Sequence, residues 1–300
     1  MPKIKIRVVE CGHTSLDFQL VASGHPSQLE VYNRHKGHHC GASVDPDGRI
    51  ITHPIYTYII EHSDGLLLID TGMSASTRSD WKHAFYPSAM PYHPEADELF
   101  VDRLDQLNLR PTDFKDVILT HLHTDHAGNT ALFAKTPARI IVHEDELRGA
   151  VQVKGGLIRD DDITLWGVTS QQGFTRRDFG CLLPDRATLV FGDQQIYPGI
   201  WTVSFPGHTW GTMGVALKLE NTGWVLLASD HIYMTHTWGK PFVPTILNHD
   251  PYKWAHSAVK TRKMMEKYKM RIFPGHEDKV IVPADNEQGF VLEQIRETYD

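Results

Sequence analysis

Residues 120–128 read Thr120-His121-Leu122-His123-Thr124-Asp125-His126-Ala127-Gly128, and four of these side chains can bind a metal ion. The segment continues an apolar run from Asp116 to Leu119, whose length and composition predict a buried strand. Because alternate side chains at a strand point to the same side, His121 and His123 can converge on one ion. The chain then turns, so that Asp125 and His126 can face a second ion. Imidazole and carboxylate without thiolate favour zinc, or another divalent metal such as Mn, Fe or Co.

Four other predicted strands also end close to a His or an Asp. They are residues 66–69 before Asp70, 201–205 before His208, 224–228 before Asp230, and 271–273 before His276. The tetrapeptide Phe-Pro-Gly-His closes two of them. Open sheets place their chemistry at the carboxyl ends of strands, so we expect these side chains to meet along one edge.

The composition excludes several classes of function. A net charge of −7 gives no reason to expect nucleic acid as a partner, and no stretch approaches the length of a membrane span. The opening residues lack the long apolar segment of a signal peptide. The cysteines Cys11, Cys40 and Cys181 fit neither a disulfide framework nor a C-x-x-C site. We therefore expect a cytoplasmic protein with reduced thiols and no membrane partner.

The first half of the chain is predicted to be rich in β-structure. Strands are expected at 3–9, 50–61, 66–69 and 116–120, and an Asp-Gly turn at 64–65 predicts a hairpin. Residues 11–48 show little periodicity. Segment 73–95 holds Trp81, Phe85 and Tyr86 among polar residues, and loops this long usually carry function or pack on their own side chains. A helix is expected to open at Pro94, with acidic residues in its first turn.

The second half repeats the same kinds of element. Strands are expected at 138–142, 188–191, 195–205, 214–219, 224–228 and 271–273, and helices at 144–151, 251–268 and 284–297. The polar stretch 152–186 is interpreted as an excursion over the surface that forms part of a lid. No Pro/Ser-rich linker divides the chain, which favours one domain over 1–300. Two sheets packed face to face, with helices outside, would bring the strand ends together.

With these motifs in order, the sequence resembles the metallo-β-lactamase fold superfamily over about residues 50–280. The resemblance rests on Asp70-Thr71-Gly72, the 121–126 motif, His208, Asp230 and His276. It implies an αββα sandwich of two mixed sheets flanked by helices, an α/β (α+β) fold. It also implies two metal ions, and the residues that it assigns to the first ion are His121, His123 and His208. Those that it assigns to the second are Asp125, His126 and His276, with Asp230 bridging both.

Within that superfamily the chain is most similar to the quorum-quenching N-acyl homoserine lactonases. The likeness comes from the strand pair before Asp70-Thr71-Gly72-Met73 and from Tyr233, three residues after Asp230. His231 beside Asp230, Thr209-Trp210-Gly211 after His208 and the long 152–186 stretch depart from that group. The resemblance implies that a hydroxide between the ions opens a lactone ring, with Tyr233 donating to the oxyanion.

Further roles are expected from the reaction and from the position of residues in the chain. Asp125 or Asp230 would carry the proton, and Asp70 would orient a ligand histidine, unless it only caps a turn. The residues Trp81, Phe85 and Tyr86 would contact the substrate, and a homodimer is kept as an assembly to test. Two alternatives stay open. One is another hydrolase of a thioester, aryl ester, pyridoxolactone-like lactone or phosphodiester, and the other is a metal or redox protein without hydrolysis.

Overall fold

The computed structural model describes residues 2–21, 50–77, 91–154, 173–238, 242 and 244–300. The described strands form two sheets. The first sheet contains, in chain order, β1 (Lys5–Asp17), β2 (Ile50–His62), β3 (Gly65–Ile69), β4 (Tyr92–His93), β5 (Phe114–Ile118), β6 (Arg139–His143), β7 (Ala187–Val190) and the carboxyl-terminal β15 (Thr298–Tyr299). Its spatial order is β15-β1-β2-β3-β5-β6-β7, and β4 pairs with β1.

The second sheet is built from the later part of the chain. It contains β8 (Gln194–Tyr197), β9 (Ile200–Ser204), β10 (Met213–Lys218), β11 (Trp224–Ser229), β12 (Arg271–Pro274), β13 (Lys279–Pro283) and β14 (Phe290–Gln294). Its order, β14-β13-β12-β11-β10-β9-β8, follows the order of the strands in the chain. All its neighbouring strands pair antiparallel except β11 and β12, which are parallel. The two strands are connected through the longest described helix, as parallel neighbours require.

The described helices are short apart from two. They are α1 (Phe18–Val21), α2 (Phe100–Gln106), α3 (Thr124–Ala127), α4 (Glu144–Lys154), α5 (Arg176–Phe179) and α6 (Pro251–Tyr268). Helix α6 has the predicted bounds because its start is capped: Asp250 accepts a hydrogen bond from the backbone N–H of Lys253 at 2.9 Å. None of the described helices is long and apolar enough to cross a membrane.

Three hydrophobic layers hold the sandwich together. Successive residues of β3 alternate between them: Leu67 and Ile69 pack between the sheets, whereas Leu68 packs against the helices outside. The second sheet packs in the same way against α6, through residues such as Met265. Each buried side chain of this size contributes about 1.5–3 kcal/mol. The αββα sandwich expected from the sequence is confirmed.

Parallel pairing sets where the strands end. Strand β3 pairs in parallel with β5, with Ile69 opposite Ile118, so Asp70 and the 120–128 segment leave the sheet side by side. In the second sheet Ser229 lies opposite Pro274, so Asp230 and His276 emerge together. Both parallel pairs therefore direct their carboxyl ends to the same edge of the sandwich.

Some elements differ from the sequence expectations. The predicted helix at 284–297 is wrong, because residues 290–294 pair with β13 as β14. A turn precedes it, in which the Asn286 side chain accepts hydrogen bonds from the N–H groups of Gly289 and Phe290. The helix expected from Pro94 begins only at Phe100, and the first strand continues to Asp17. Residues 195–205, expected as one strand, divide into β8 and β9.

Candidate metal centre

The residues at the strand ends converge in two adjoining groups of buried ligand-type side chains. One group is His121, His123, His208 and Asp230, and the other is Asp125, His126 and His276. Within each group the ligand-type atoms all lie within 4.8 Å of one another. This is the division that the family resemblance implies. The four elements that supply the side chains are the ends of β5, β9, β11 and β12.

Asp230 lies between the two groups and presents one carboxylate oxygen to each. Its Oδ2 lies 3.1 Å from Nε2 of His208. Its Oδ1 lies 3.1 Å from Nε2 of both His126 and His276. Asp125 contacts only the second group, with Oδ2 at 3.4 Å from Nε2 of His276. The arrangement allows Asp230, and no other described residue of these groups, to serve two ions at once.

Several of these atoms have no hydrogen-bond partner among the described residues, although they are buried. They are Nε2 of His121, His126 and His276, and Oδ1 of Asp230. Leaving a buried polar atom unpaired is costly, so each such atom calls for a ligand. Five imidazoles and two carboxylates, gathered in two adjoining groups, form the donor set of borderline divalent metals. The side chains present therefore fit two metal ions.

The protonation of the groups also suits metal binding. Burial, and then the neighbouring His208, lowers the pKa of His123 to about 3, and burial with the adjacent imidazoles lowers that of His121 well below its ordinary value. Both rings are thus neutral ligands. Although burial raises the pKa of Asp230, the surrounding histidines His276 and His126 lower it well below its ordinary value. A carboxylate that stays ionised can bind a cation without first losing a proton.

In the second group, the pKa values of the two histidines are raised instead of lowered. Burial lowers the pKa of His276, but Asp230 and Asp125 outweigh it and raise that pKa to about 9. The pKa of His126 is raised well above its ordinary value by the same carboxylates against burial. Two imidazoles that attract protons this strongly lie in a field that favours positive charge, and a divalent cation can supply that charge instead.

Asp70 orients His126, one of the ligand-type histidines. Its Oδ2 accepts hydrogen bonds from Nδ1 of His126 at 2.8 Å and from the hydroxyl of Thr120 at 2.7 Å. Its Oδ1 accepts the backbone N–H of Thr120 at 2.7 Å. Since Nδ1 of His126 is the donor, Nε2 is the nitrogen that faces the centre. Asp70 (φ 59°) and Ser229 (φ 49°) both adopt the left-handed region at this edge, which is a strain often stored at functional sites.

Glu146 connects the two loops that carry the first group. It is fully buried on α4, and its Oε1 accepts the N–H of Leu122 at 2.9 Å. Its Oε2 accepts the hydroxyl of Thr209 at 2.6 Å and the N–H of Gly211 at 2.9 Å. Burial raises the pKa of Glu146, against these hydrogen bonds. The residue fixes the loop after His121 against the loop after His208, and sequence analysis did not identify it.

Tyr233 lies beside the centre, as its position after Asp230 suggests. Its ring is buried, with its centroid 4.5 Å from that of His276 and 6.4 Å from that of His208. Its hydroxyl lies 3.1 Å from Nε2 of His53, a residue that the sequence analysis passed over. The neighbouring Pro54 carbonyl accepts a hydrogen bond from Nδ1 of His276 at 2.9 Å. Strand β2 therefore contributes two contacts to the site. In the sequence, the one available sign of the first contact is a histidine, His53, inside an apolar strand.

The structure does not describe the three aromatic residues that were expected to contact the substrate. Trp81, Phe85 and Tyr86 lie outside the described residues, as do the central residues of 152–186. The described end of that stretch does reach the centre: Phe174 pairs with His123 in an isolated bridge, and their rings lie 4.8 Å apart. Further along, Arg177 donates to the hydroxyl of Thr124 at 3.4 Å. The described end of the stretch, from residue 173 onward, therefore packs against the metal-binding motif.

Comparison with known proteins places the chain in a family. The family described as the metallo-beta-lactamase superfamily matches residues 50–276. The chain belongs to the metallo-beta-lactamase superfamily, which confirms the resemblance drawn from the motifs.

Several individual proteins of known name or structure are similar to this chain. The N-acyl homoserine lactonase AiiB of Agrobacterium fabrum (strain C58 / ATCC 33970) is 29% identical over 235 residues, which cover 76% of this chain and 81% of that protein. The structure of an N-acyl homoserine lactone hydrolase, with N-hexanoyl-L-homoserine bound at its catalytic metal center, superposes with a TM-score of 0.70 and 24% identity. It covers 92% of this chain and 94% of its own. AidC, described as a dizinc quorum-quenching lactonase, has a TM-score of 0.67 at 16% identity, covering 98% of this chain and 95% of its own.

Proposed function

We propose that this protein is a dinuclear metal hydrolase that opens the lactone ring of N-acyl homoserine lactones or similar lactones. The observation that carries the proposal is the pair of ligand groups joined by Asp230, with the phenol of Tyr233 packed beside them. The names of the relatives support the substrate class, since AiiB is named an N-acyl homoserine lactonase and a solved neighbour holds the opened product.

We assign His121, His123 and His208 to one ion, Asp125, His126 and His276 to the other, and Asp230 to both. Zinc is the proposed metal, because the donor set is imidazole and carboxylate and because AidC is described as dizinc. When bound, two such ions would supply a water of near-neutral pKa and polarise the carbonyl of the substrate.

The protein's own side chains perform the remaining steps. Tyr233 donates a hydrogen bond to the carbonyl oxygen of the lactone, and this bond strengthens as negative charge develops there. Asp125 is the proposed proton carrier of the two aspartates, since its side chain is 10% exposed against 3% for Asp230. It receives the proton of the attacking water and delivers it to the ring oxygen as the C–O bond breaks.

The acyl chain needs an apolar cover, and the proposed contacts are Trp81, Phe85 and Tyr86. They follow Asp70-Thr71-Gly72 in sequence, and that turn lies at the metal edge of the sandwich. Each methylene that leaves water on binding contributes about 0.8 kcal/mol. Phe85→Ala should therefore raise KM more for long-chain than for short-chain lactones, whereas equal losses across all chain lengths would assign the residue to packing.

A panel of substrates tests the proposal. It contains N-acyl homoserine lactones of several chain lengths, a pyridoxolactone-like lactone, a thioester, an aryl ester and a phosphodiester, each offered to the zinc-loaded protein. We expect a kcat/KM on one of the homoserine lactones that exceeds every other class by at least about tenfold, a difference of about 1.4 kcal/mol in transition-state binding. A thioester or phosphodiester as the best substrate would overturn the lactonase proposal.

A pair of histidine variants ties the activity to the centre. His208→Ala removes a proposed ligand, so zinc content and lactone hydrolysis should fall together. His256→Ala alters an exposed histidine of α6 and should leave both unchanged. If His208→Ala lost its metal but kept full lactonase activity, the reaction would not take place at this centre.

A further inference from the structure

Three rings pack against one another at the edge of the second ligand group. The ring centroid of His53 lies 4.5 Å from that of His276 and 5.5 Å from that of Tyr233, in edge-on geometry both times. His53 is fully buried in β2 and is separated from Tyr233 by 180 positions in sequence. The only hydrogen bond of its ring to a described residue joins Nε2 to the hydroxyl of Tyr233 at 3.1 Å.

The two nitrogens of His53 are therefore in different situations. Nε2 has a partner, whereas Nδ1 is buried and has none among the described residues. If the proton were on Nδ1, an N–H would be buried without an acceptor. With the proton on Nε2, only a lone pair is left unpaired at Nδ1. Buried N–H groups without a partner are rarer in proteins than acceptors with unused lone pairs, so the second arrangement is favoured.

This choice of tautomer fixes the direction of the hydrogen bond. Nε2–H of His53 donates, and the phenolic oxygen of Tyr233 accepts. A phenol oxygen that already accepts a hydrogen bond on one side must aim its own O–H elsewhere. The ring of His276 lies 4.5 Å from the rings of both Tyr233 and His53, and that of His208 lies 6.4 Å from Tyr233, so the phenol stands beside the ligand groups while its O–H is not used on His53.

We propose that His53 is a positioning residue: by donating to the phenolic oxygen of Tyr233 it fixes the hydroxyl beside the ligand groups, so that the O–H serves as a donor to the substrate carbonyl and not to His53. This inference rests on the proposed function, because the carbonyl is that of the lactone. The neighbouring residue acts in parallel, since the Pro54 carbonyl accepts from His276 and orients its ring. One short segment of β2 thus orients both a proposed metal ligand, His276, and the proposed hydrogen-bond donor, Tyr233.

The tautomer can be measured without any substrate. Zinc-loaded protein labelled with ¹⁵N-histidine gives long-range ¹H–¹⁵N correlations that distinguish Nε2–H from Nδ1–H, and the signals absent from His53→Gln identify the residue. The proposal expects Nε2–H at His53. A ring protonated only at Nδ1 would overturn it, whatever the protein hydrolyses.

Two substitutions of similar size separate positioning from packing. In His53→Gln the side-chain amide N–H₂ can take the place of Nε2, whereas the shorter amide of His53→Asn lies where Nδ1 was and cannot reach Tyr233. We expect His53→Asn to lower kcat about threefold to tenfold, the effect of one neutral hydrogen bond, with little change in KM. His53→Gln should recover most of the loss, and both variants should bind zinc like the wild type.

The same pair is then combined with Tyr233→Phe. Because His53 is proposed to act through the phenol, His53→Asn should have no further effect on kcat once the hydroxyl is gone. An equal loss in both backgrounds, or an equal loss for Gln and Asn, would overturn the positioning role. A wild-type protein that opens no lactone would instead contradict the proposed function, and the tautomer measurement would still decide the state of His53.

Discussion

Asp70 follows β3 and accepts a hydrogen bond from His126, a proposed metal ligand. Substituting it tests whether this hydrogen bond orients the ligand. We predict that Asp70→Asn weakens zinc binding at the second group by about ten- to a hundredfold, because an amide cannot accept from His126, Thr120 N–H and Thr120 O–H together. Asn tolerates the positive φ of this position, so the backbone should persist. Competition with a chromophoric chelator measures the affinity.

Asp116→Asn is the matched control for that variant. Asp116 is equally buried, but its carboxylate binds the guanidinium of Arg139 at 2.7 Å and accepts from the hydroxyl of Tyr197, away from the strand ends. Its loss should lower the melting temperature and leave zinc affinity unchanged. If the two variants lost zinc equally, the effect of Asp70 would be one of general stability rather than of ligand orientation.

Tyr233 supports a prediction about the reaction itself. For Tyr233→Phe we expect kcat to fall about ten- to a hundredfold, the range for one oxyanion donor or slightly less, with a smaller change in KM. The bond to His53 adds a cost of about 1 kcal/mol when it is lost, which corresponds to a decrease of about 2–4 °C.

Tyr197→Phe provides the comparison for Tyr233→Phe. The hydroxyl of Tyr197 donates to Asp116 at 2.7 Å, so this variant also loses a hydrogen bond to a buried partner, far from the ligand groups. It should change the melting temperature and not kcat. Wild-type kcat in Tyr233→Phe on the best lactone would mean that the phenol is structural.

At the scale of elements, the contact of residues 173–174 with His123 allows a test of whether the described end of the 152–186 stretch holds this histidine in place. A Cβ on Gly173 would lie 2.6 Å from Cγ of His123, closer than any real contact. Gly173→Ala must therefore displace either the imidazole or the bridge, and we predict at least about tenfold weaker zinc binding at the first group. Isothermal titration with zinc measures the loss.

Gly180→Ala is the control for the same region. Gly180 follows α5 with φ −61°, and the nearest atom to an added Cβ is the flexible side chain of Arg176 at 3.4 Å. This variant should bind zinc as the wild type does. Unchanged zinc affinity in Gly173→Ala would show that residues 173–174 do not hold the His123 ring in its binding position.

The elements also indicate what a sequence can predict. The strands that carry Asp70, His121, Asp230 and His276 were predictable, because buried strands have continuous apolar runs and the ligand-type residues follow them directly. Strand β14 was not, since Glu, Gln and Leu favour a helix locally and only pairing with β13 makes the segment extended. His53 was missed for a related reason: its partner is distant in sequence, and no local pattern encodes that contact.

At the scale of the whole molecule, the two sheets contribute unequal parts of one centre. The first sheet supplies the motif at 121–126 and Asp70, which follows β3 and accepts a hydrogen bond from His126. It also supplies His53 and Pro54 of β2, which contact Tyr233 and His276. The second sheet supplies His208, Asp230 and His276, and Asp230 contacts histidines from both. The centre therefore forms only when one sheet packs on the other, and the hydrophobic layer between the sheets holds them in that arrangement. The homodimer stays a prediction, which light scattering of the purified protein would check.

The central claim is that two ions held by these groups are needed to open a lactone, and one measurement tests it most directly. Protein freed of metal by exhaustive chelation is titrated with zinc while hydrolysis of an N-acyl homoserine lactone is followed. The account predicts no hydrolysis without metal and a rate that rises until two equivalents per chain are bound. Full activity in protein verified to be metal-free, or a rate that is complete after one equivalent, would contradict it.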